Sequence, residues 1–392
     1  MTPPPREPTP DDRERDPRLD GVRGIAILLV LVCHLTQYGG MVPDGPWLDR
    51  VWRTWTLPLG LGVDLFFVLS GFLITGILLD TRDGPDYFRN FYARRILRIF
   101  PLYYATLAAT FLLIPAVRRD AVWYWTYLIN YRFADVGWPR VPFLGHFWTL
   151  AVEEQFYLVW PALVFFVPRR VLPWVCVAAM GTSIWGRMGT FHAQLPAYAN
   201  LATHLRLDAL AIGGLLAWLA RRPQGLTRLR GPAMVLFWVC TAAAIYLFAH
   251  ENDPVPTMSE RVFKTTVLAL GFGAFVLLAA SAAPTSRLRA ALCAPWLTRV
   301  GLYSYSLYVI HHVILIGLHR HNWNLKRVHV SLFGSQLPAQ LLFALVVGGL
   351  CLALSALSYH QLESRFLALK RYFRYRKAAP PPPVEQVRAR AV

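Results

Sequence analysis

Four of the ionisable side chains inside apolar stretches of this 392-residue sequence could act together in catalysis: His34, Asp64, Glu153 and Glu154. Ionisable side chains are costly within a membrane, so each of them is a candidate functional residue. A neutral histidine that a carboxylate orients can act as a general base, because the carboxylate stabilises the ring once it has taken a proton. A structural ion-pair network is the alternative interpretation of the same residues.

Arg23 and His34 share the first apolar stretch and are eleven residues apart. On an α-helix this spacing is three turns plus about 20°, so both side chains face the same side, about 16 Å apart along the axis. The alternative is an arginine that reaches the membrane edge and a hydrogen-bonded core histidine.

Chain position also predicts a common depth for the four candidates. His34 and Asp64 each lie about two turns from the predicted outer end of their stretch, and Glu153 and Glu154 lie at a similar depth. We therefore expect a histidine, an aspartate and one or two glutamates to meet at one level. Position along the chain does not predict which faces of the helices meet.

Arg95 and Arg98 are one helical turn apart at the start of the third apolar stretch, after Arg89 and Arg94. The guanidinium group has forked donors that suit phosphate, so the pair can face one polyanion. Part of this charge is the ordinary excess of arginine in cytoplasmic loops.

The composition indicates which kind of secondary structure positions these residues. Apolar residues make up 55% and charged residues 16% of the chain, and the mean hydropathy is +0.38. A net charge of +18 would suggest nucleic acid, but the chain has too few polar residues for a nucleic-acid-binding surface. We predict an all-α polytopic membrane protein with about ten transmembrane helices. The predicted segments are 21–40, 57–79, 100–117, 147–167, 171–187, 205–220, 232–249, 265–283, 301–318 and 338–360.

The distribution of basic residues predicts the orientation. With the N-terminus in the cytoplasm, 27 of the 40 Lys and Arg residues fall in cytoplasmic segments and 11 in outer loops. Cytoplasmic loops carry this excess in membrane proteins. We therefore predict a multi-pass membrane protein with both termini in the cytoplasm.

The ends of the chain differ from its middle. Residues 1–18 are polar and rich in proline, which predicts a disordered N-terminal tail, and 364–392 form a basic, proline-rich cytoplasmic tail. Residues 19–363 make up the transmembrane domain. The five cysteines lack the spacing of metal ligands, so we expect neither disulfides nor a metal site.

Five ordered motifs closely resemble the acyltransferase-3 family of membrane O-acyltransferases, over residues 19–363. They are Arg23…His34, GVDLFFVLSGFLIT at 62–75, ARRILRIFPLYY at 93–104, FWTLAVEEQFYLVWP at 147–161 and YSYSLYVIHH at 303–312. In the family a proline often follows the glutamate after the last span, whereas Ser364 follows Glu363 here.

The resemblance implies transfer of an acyl group, expected to be acetyl, from cytoplasmic acyl-CoA to a hydroxyl of a carbohydrate or glycosylated small molecule. Acyl-CoA is then a co-substrate, and no bound cofactor is expected. His34 would be the general base, Asp64 would orient it, and Glu153 or Glu154 would bind the sugar or assist proton transfer. A transient acyl-histidine at His34 is the alternative scheme.

The remaining site predictions concern the two substrates. The CoA phosphates would lie on Arg23, Arg95 and Arg98, and the thioester would pass Ser70. Tyr308 and His311 share one face of the ninth span and are predicted to contact the acceptor, although packing is the alternative for the tyrosine. His312 points about 100° away from His311 on a helix and is not expected to be equivalent to it.

Arg206 and Asp208 begin the sixth span and are also predicted to contact the acceptor, with a structural salt bridge as the alternative. A proton-coupled transporter of a small solute is the competing class of protein, because buried histidines and carboxylates also build proton relays. Transporters often contain inverted repeats, and the sequence contains none that we can detect.

Overall fold

A computed structural model describes residues 16–41, 45–138, 142–195, 201–223, 225–249, 257–321 and 331–375. The described part of the chain is almost entirely helical, and its only β-pairing is an isolated bridge between Leu332 and Ser335. Most of the predicted N-terminal tail lies outside the described residues, although the first helix already begins at Pro17.

Within the described ranges, thirteen helices of eight or more residues form the bundle. They are α1 Pro17–Gly39, α2 Trp47–Thr56, α3 Gly62–Thr81, α4 Tyr87–Leu113, α5 Ile129–Val136, α6 Phe147–Phe166, α7 Leu172–His192, α8 Leu207–Leu219, α9 Arg230–Ala249, α10 Lys264–Ala280, α11 Pro295–Leu302, α12 Ser304–Arg320 and α13 Leu337–Ser358.

Shorter helical segments connect these helices. The 3₁₀ segments are Leu57–Leu61, Pro115–Asp120, Thr203–Leu205, Thr227–Leu229 and Leu369–Tyr372. The short α-helices are Ala121–Trp125, Arg287–Leu292 and Ser364–Ala368, and the π-helical turns are Ser259–Phe263 and Tyr359–Glu363.

Each of the ten predicted apolar segments overlaps a helix of the bundle, and segment 301–318 overlaps both α11 and α12. Among the described residues, six helical runs are long and apolar enough to cross a membrane, and α11 with α12, which meet at a bend of 69°, make a seventh if they are one span. The runs are Pro17–Gly39, Trp47–Thr81, Tyr87–Leu113, Thr227–Ala249, Glu260–Ala280 and Leu337–Tyr372. The prediction of an all-α polytopic membrane protein is confirmed.

The start of α3 lies deeper in the bundle than the sequence predicts. The Cys33 thiol donates to the carbonyl of Leu57 at 3.0 Å, and Gly62 packs beside Ala26 and Val30 of α1. Helices α1 and α3 therefore run antiparallel, and Asp64 lies about seven residues, or about 10 Å, away from the level of His34. The prediction of one common depth is wrong for Asp64, because the 3₁₀ segment Leu57–Leu61, and not the helix itself, lies beside Cys33. It is also wrong for Glu153 and its neighbour Glu154, because Glu153 bonds to Ser70, six residues further along α3 than Asp64.

Helix α3 packs closely against two other helices. A Cβ atom at Gly71 would meet the backbone of Leu210 in α8, and one at Gly213 of α8 would meet the backbone of α3. Helix α6 runs parallel to α3, because Ser70 bonds to Glu153 and Arg82 bonds to the carbonyl of Phe165, two pairs with the same 83-residue separation. The polar faces of α3 and α6 are thereby fixed against each other.

The chain after α13 folds back onto the arginine-rich start of α4. Arg94 donates to the carbonyls of Lys370 and Phe373, and Asn90 donates to the carbonyl of Arg374 at 3.0 Å. The segment predicted as a basic tail therefore begins as ordered structure that packs on α4, at least as far as Tyr375.

Candidate active site

Four histidines contributed by α1, the start of α6 and α12 lie together, and we call them the histidine cluster. They are His34, His146, His311 and His312. Nδ1 of His34 lies 3.0 Å from Nε2 of His311, and the His34 ring centre is 5.0 Å from that of His312. His146 lies 4.6 Å from His312 between ring centres. His34 is half-buried, whereas the other three rings are buried.

Backbone carbonyls bind one nitrogen of each buried ring. Nδ1 of His311 lies 2.8 Å from the carbonyl of Leu307, Nδ1 of His312 lies 3.2 Å from that of Phe143, and Nε2 of His146 lies 3.2 Å from that of Val309. A carbonyl only accepts, so each of these nitrogens carries a proton. The second nitrogen of His312 accepts from the Tyr38 hydroxyl at 3.3 Å, and Nδ1 of His146 is buried with no partner in the described part of the chain.

Sequence reasoning missed two members of the cluster. His146 lies just before the predicted fourth span, so no apolar stretch drew attention to it. His312 was set apart from His311 by the 100° step of the helix, yet the His34 ring approaches both, at 5.1 Å from His311 and 5.0 Å from His312. The adjacent pair His311–His312 was the signal that could have identified His312, because it contains a predicted site histidine.

The predicted acceptor contacts at His311 and Tyr308 are not accessible. His311 is completely buried behind His34. Tyr308 is also buried, and its hydroxyl lies 2.5 Å from that of Thr149 and 3.0 Å from the carbonyl of His146. These two side chains support the site from behind and do not line it.

Glu153 lies about two turns along α6 from His146. It bonds to Ser70, which belongs to the motif at 62–75. The Ser70 hydroxyl donates to Oε1 of Glu153 at 2.6 Å, and the Tyr157 hydroxyl donates to Ser70 at 3.0 Å. Glu153 and Ser70 are both half-buried. The bond to Ser70 shows that Glu153 faces α3, and Glu154 points about 100° away from it on the helix.

Three arginines converge on Glu153 from two helices, and we call them the arginine group: Arg23, Arg95 and Arg98. All three act electrostatically on the Glu153 carboxylate. Arg23 also pairs with Asp20 at 2.5 Å, and Nε of Arg95 is buried with no partner among the described residues. The structure therefore brings the three predicted arginines near one carboxylate, and their assignment to the CoA phosphates stays a prediction.

Asp64 does not orient His34. Its carboxylate accepts from Arg206 at 2.7 Å, and the guanidinium of Arg206 lies over the rings of Phe67 and Trp148. The predicted pairing of Asp64 with His34 is therefore not found. The pairing fails because α3 starts deeper in the bundle than predicted, which carries Asp64 past the level of His34.

Asp208 is also withdrawn from any acceptor. Its carboxylate bonds to Arg187 at 2.8 Å and to Thr266 at 2.7 Å, and both members of the ion pair are fully buried. Arg187 donates as well to the carbonyls of Leu205 and Val262. For Arg206 and Asp208, the structure has the salt bridges that were the alternative to acceptor binding.

We expect Asp208→Asn to destabilise the protein strongly without a specific effect on substrate affinity. Removing one partner of a buried pair leaves an uncompensated charge, which costs about 3–5 kcal/mol of the free energy of unfolding. Thermal unfolding in detergent measures this loss. Asp80→Asn is the matched control, because the Asp80–Arg221 pair is largely exposed and such pairs contribute about 0–1 kcal/mol.

Equal unfolding temperatures for Asp208→Asn and Asp80→Asn would contradict a structural role for Asp208. An unchanged unfolding temperature together with a raised KM for the acceptor would instead restore the original prediction of acceptor binding.

The family of the chain follows from comparison with known proteins. A model of the acyltransferase-3 family, described as an acyltransferase domain, matches residues 16–360. The chain therefore belongs to the acyltransferase-3 family. No solved structure matches it significantly.

Curated relatives carry related names. The chain is 25% identical over 337 residues to the peptidoglycan O-acetyltransferase OatA of Listeria monocytogenes, which covers 77% of this chain and 50% of OatA. It is 28% identical over 339 residues to YrhL of Bacillus subtilis, named as a predicted peptidoglycan O-acetyltransferase, with 76% and 48% covered. A predicted O-acetyltransferase of Staphylococcus aureus strain COL is 27% identical over 385 residues, with 89% and 57% covered. The chain spans about half the length of these relatives.

Proposed function

We propose that this protein is a membrane O-acyltransferase that moves an acyl group, normally acetyl, from acyl-CoA to a hydroxyl of a carbohydrate. The acyltransferase-3 domain and the names of the relatives support the reaction class. The acceptor is peptidoglycan or another glycan or glycosylated molecule, and acyl-CoA is the donor.

A polar face of α6 is the observation that carries the proposal. His146, Thr149, Glu153 and Tyr157 recur every three or four residues, so they share one side of the helix. From His146 to Tyr157 this face extends about 16 Å, which matches the predicted separation of Arg23 from His34. It joins the histidine cluster to Ser70, a distance that suits an extended phosphopantetheine arm.

The arginine group supplies the donor end of this path. Three guanidinium groups near one carboxylate suit the phosphates of CoA, because arginine offers several donors in a fixed fork. The half-buried Ser70 then lies between the phosphates and the reacting thioester.

The reaction at His34 conserves protons. His34 takes the proton of the acceptor hydroxyl, the hydroxyl oxygen attacks the thioester carbon, and the carbon–sulfur bond breaks. The CoA thiolate then takes the proton back from His34, so the products are an ester and free CoA. A transient acyl-histidine would use the same ring nitrogen as nucleophile.

The basic-residue count supports a cytoplasmic arginine group and an outer histidine cluster. In this arrangement acyl-CoA binds from the cytoplasm and the glycan binds at the opposite face of a bacterial cytoplasmic membrane. Both termini are then cytoplasmic.

Purified protein in liposomes, given acetyl-labelled acetyl-CoA and candidate glycan acceptors, tests the proposal. We expect a covalent acetyl ester on the acceptor and release of free CoA. Accumulation of label inside the liposomes without a covalent product would instead favour the proton-coupled transporter. Neither product nor accumulation with peptidoglycan fragments, lipid-linked glycans and soluble glycosides would contradict the acyltransferase proposal.

A further inference from the structure

His34 is oriented by a second imidazole and not by a carboxylate. We infer that His311 is the positioning residue of His34: it accepts a hydrogen bond from Nδ1 of His34 and so leaves Nε2 of His34 as the reacting atom. This inference rests on the proposed function.

The hydrogen bonds determine first the tautomer of His311 and then the tautomer of His34. Nδ1 of His311 lies 2.8 Å from the carbonyl of Leu307, which only accepts, so this nitrogen carries the proton. Nε2 of a neutral His311 is then a lone-pair acceptor. Nδ1 of His34, 3.0 Å from that nitrogen, must be the donor. Nε2 of His34 consequently has the free lone pair that a base or nucleophile requires.

The position of His311 makes this assignment independent of substrate. Leu307 lies one turn before His311 on the same helix, so the orienting bond is internal to α12. His311 is completely buried, whereas His34 is half-buried and is the accessible ring of the pair. The buried ring of His311 therefore positions His34, and the accessible ring of His34 reacts.

The same bond persists through the reaction. After His34 has taken a proton on Nε2, its Nδ1–H still donates to His311, so neither ring has to turn between the two states. A carboxylate ordinarily performs this task in a histidine-containing triad. In the part of the chain that the structure describes, Asp64 is bound to Arg206 and His311 takes this place beside His34.

Two amide substitutions separate positioning from packing. His311→Gln places a carbonyl acceptor near the position of Nε2, whereas the shorter His311→Asn places its amide near Nδ1 and does not reach His34. We expect His311→Asn to lower kcat about 10- to 100-fold, as loss of an orienting partner typically does, with the KM for acetyl-CoA unchanged. His311→Gln should retain kcat to within a few-fold.

The experiment compares kcat and KM of both variants with wild type in liposomes, with thermal unfolding as the check on folding. Equal kcat values for the Asn and Gln variants, whether both high or both low, would overturn the inference, because an acceptor at the Nε2 position would then not matter. Failure of the proposed function is distinguishable, since the wild-type protein itself would then form no ester.

Discussion

His34→Ala is expected to lower kcat for acyl transfer about 10²- to 10⁴-fold, the usual contribution of a positioned acid–base group. The residue is the accessible member of the histidine cluster and lies against His311, His312 and Tyr38. Binding of acetyl-CoA should persist, because the arginine group lies at the other end of the polar face of α6. Product formation and equilibrium binding of labelled acetyl-CoA, measured on the same preparation, separate the two effects.

His192→Ala is the matched control for this substitution. His192 is an exposed histidine at the end of α7, so its replacement makes the same chemical change outside the site. Its kcat should equal that of wild type. Retention of more than a tenth of the wild-type kcat by folded His34→Ala would remove His34 from the central role.

The double variant Arg95→Ala with Arg98→Ala is expected to raise the KM for acetyl-CoA at least about 10-fold. Each hydrogen bond between charged groups contributes about 1.5–3 kcal/mol. A loss of binding that is equal in the ground and transition states raises KM and leaves kcat unchanged. Acetyl-pantetheine lacks the phosphates, so its KM should change little in the double variant.

Arg89→Ala serves as the control, because Arg89 is a largely exposed arginine of the same helix and pairs with Asp86 at 3.9 Å. It removes a positive charge from α4 and leaves the arginine group intact. An equal rise of KM for acetyl-CoA and acetyl-pantetheine in the double variant would contradict the phosphate assignment.

Sequence reasoning predicted the helices well because their apolar segments must be long enough for a bilayer. The ten segments and the polar residues inside them were apparent from hydropathy alone. Arg23, Arg95 and Arg98 could be grouped because helical spacing sets relative directions within one helix. Their shared action on Glu153 required the packing of α1, α4 and α6, which local spacing does not contain.

The partners of the buried charges could not be predicted in the same way. The sequence does not show that a 3₁₀ segment, Leu57–Leu61, forms the start of the second predicted span and lies beside Cys33, so Asp64 was assigned to the wrong level. Arg187 had no assigned role until its bond to Asp208 was seen. His146 precedes an apolar stretch and carries no local sign of its contact with His312.

The docking of residues 370–374 on α4 ties the last described residues to the arginine-rich start of that helix. Helix α1 begins near the same end, since Arg23 and Arg98 act on one glutamate. A fluorescent or enzymatic fusion after Tyr375 would therefore report the sidedness of the arginine group as well as that of the C-terminus. A bulky fusion joined there without a spacer would also crowd the entrance for the donor, so reporter strains need a long linker if transferase activity is to be measured in them.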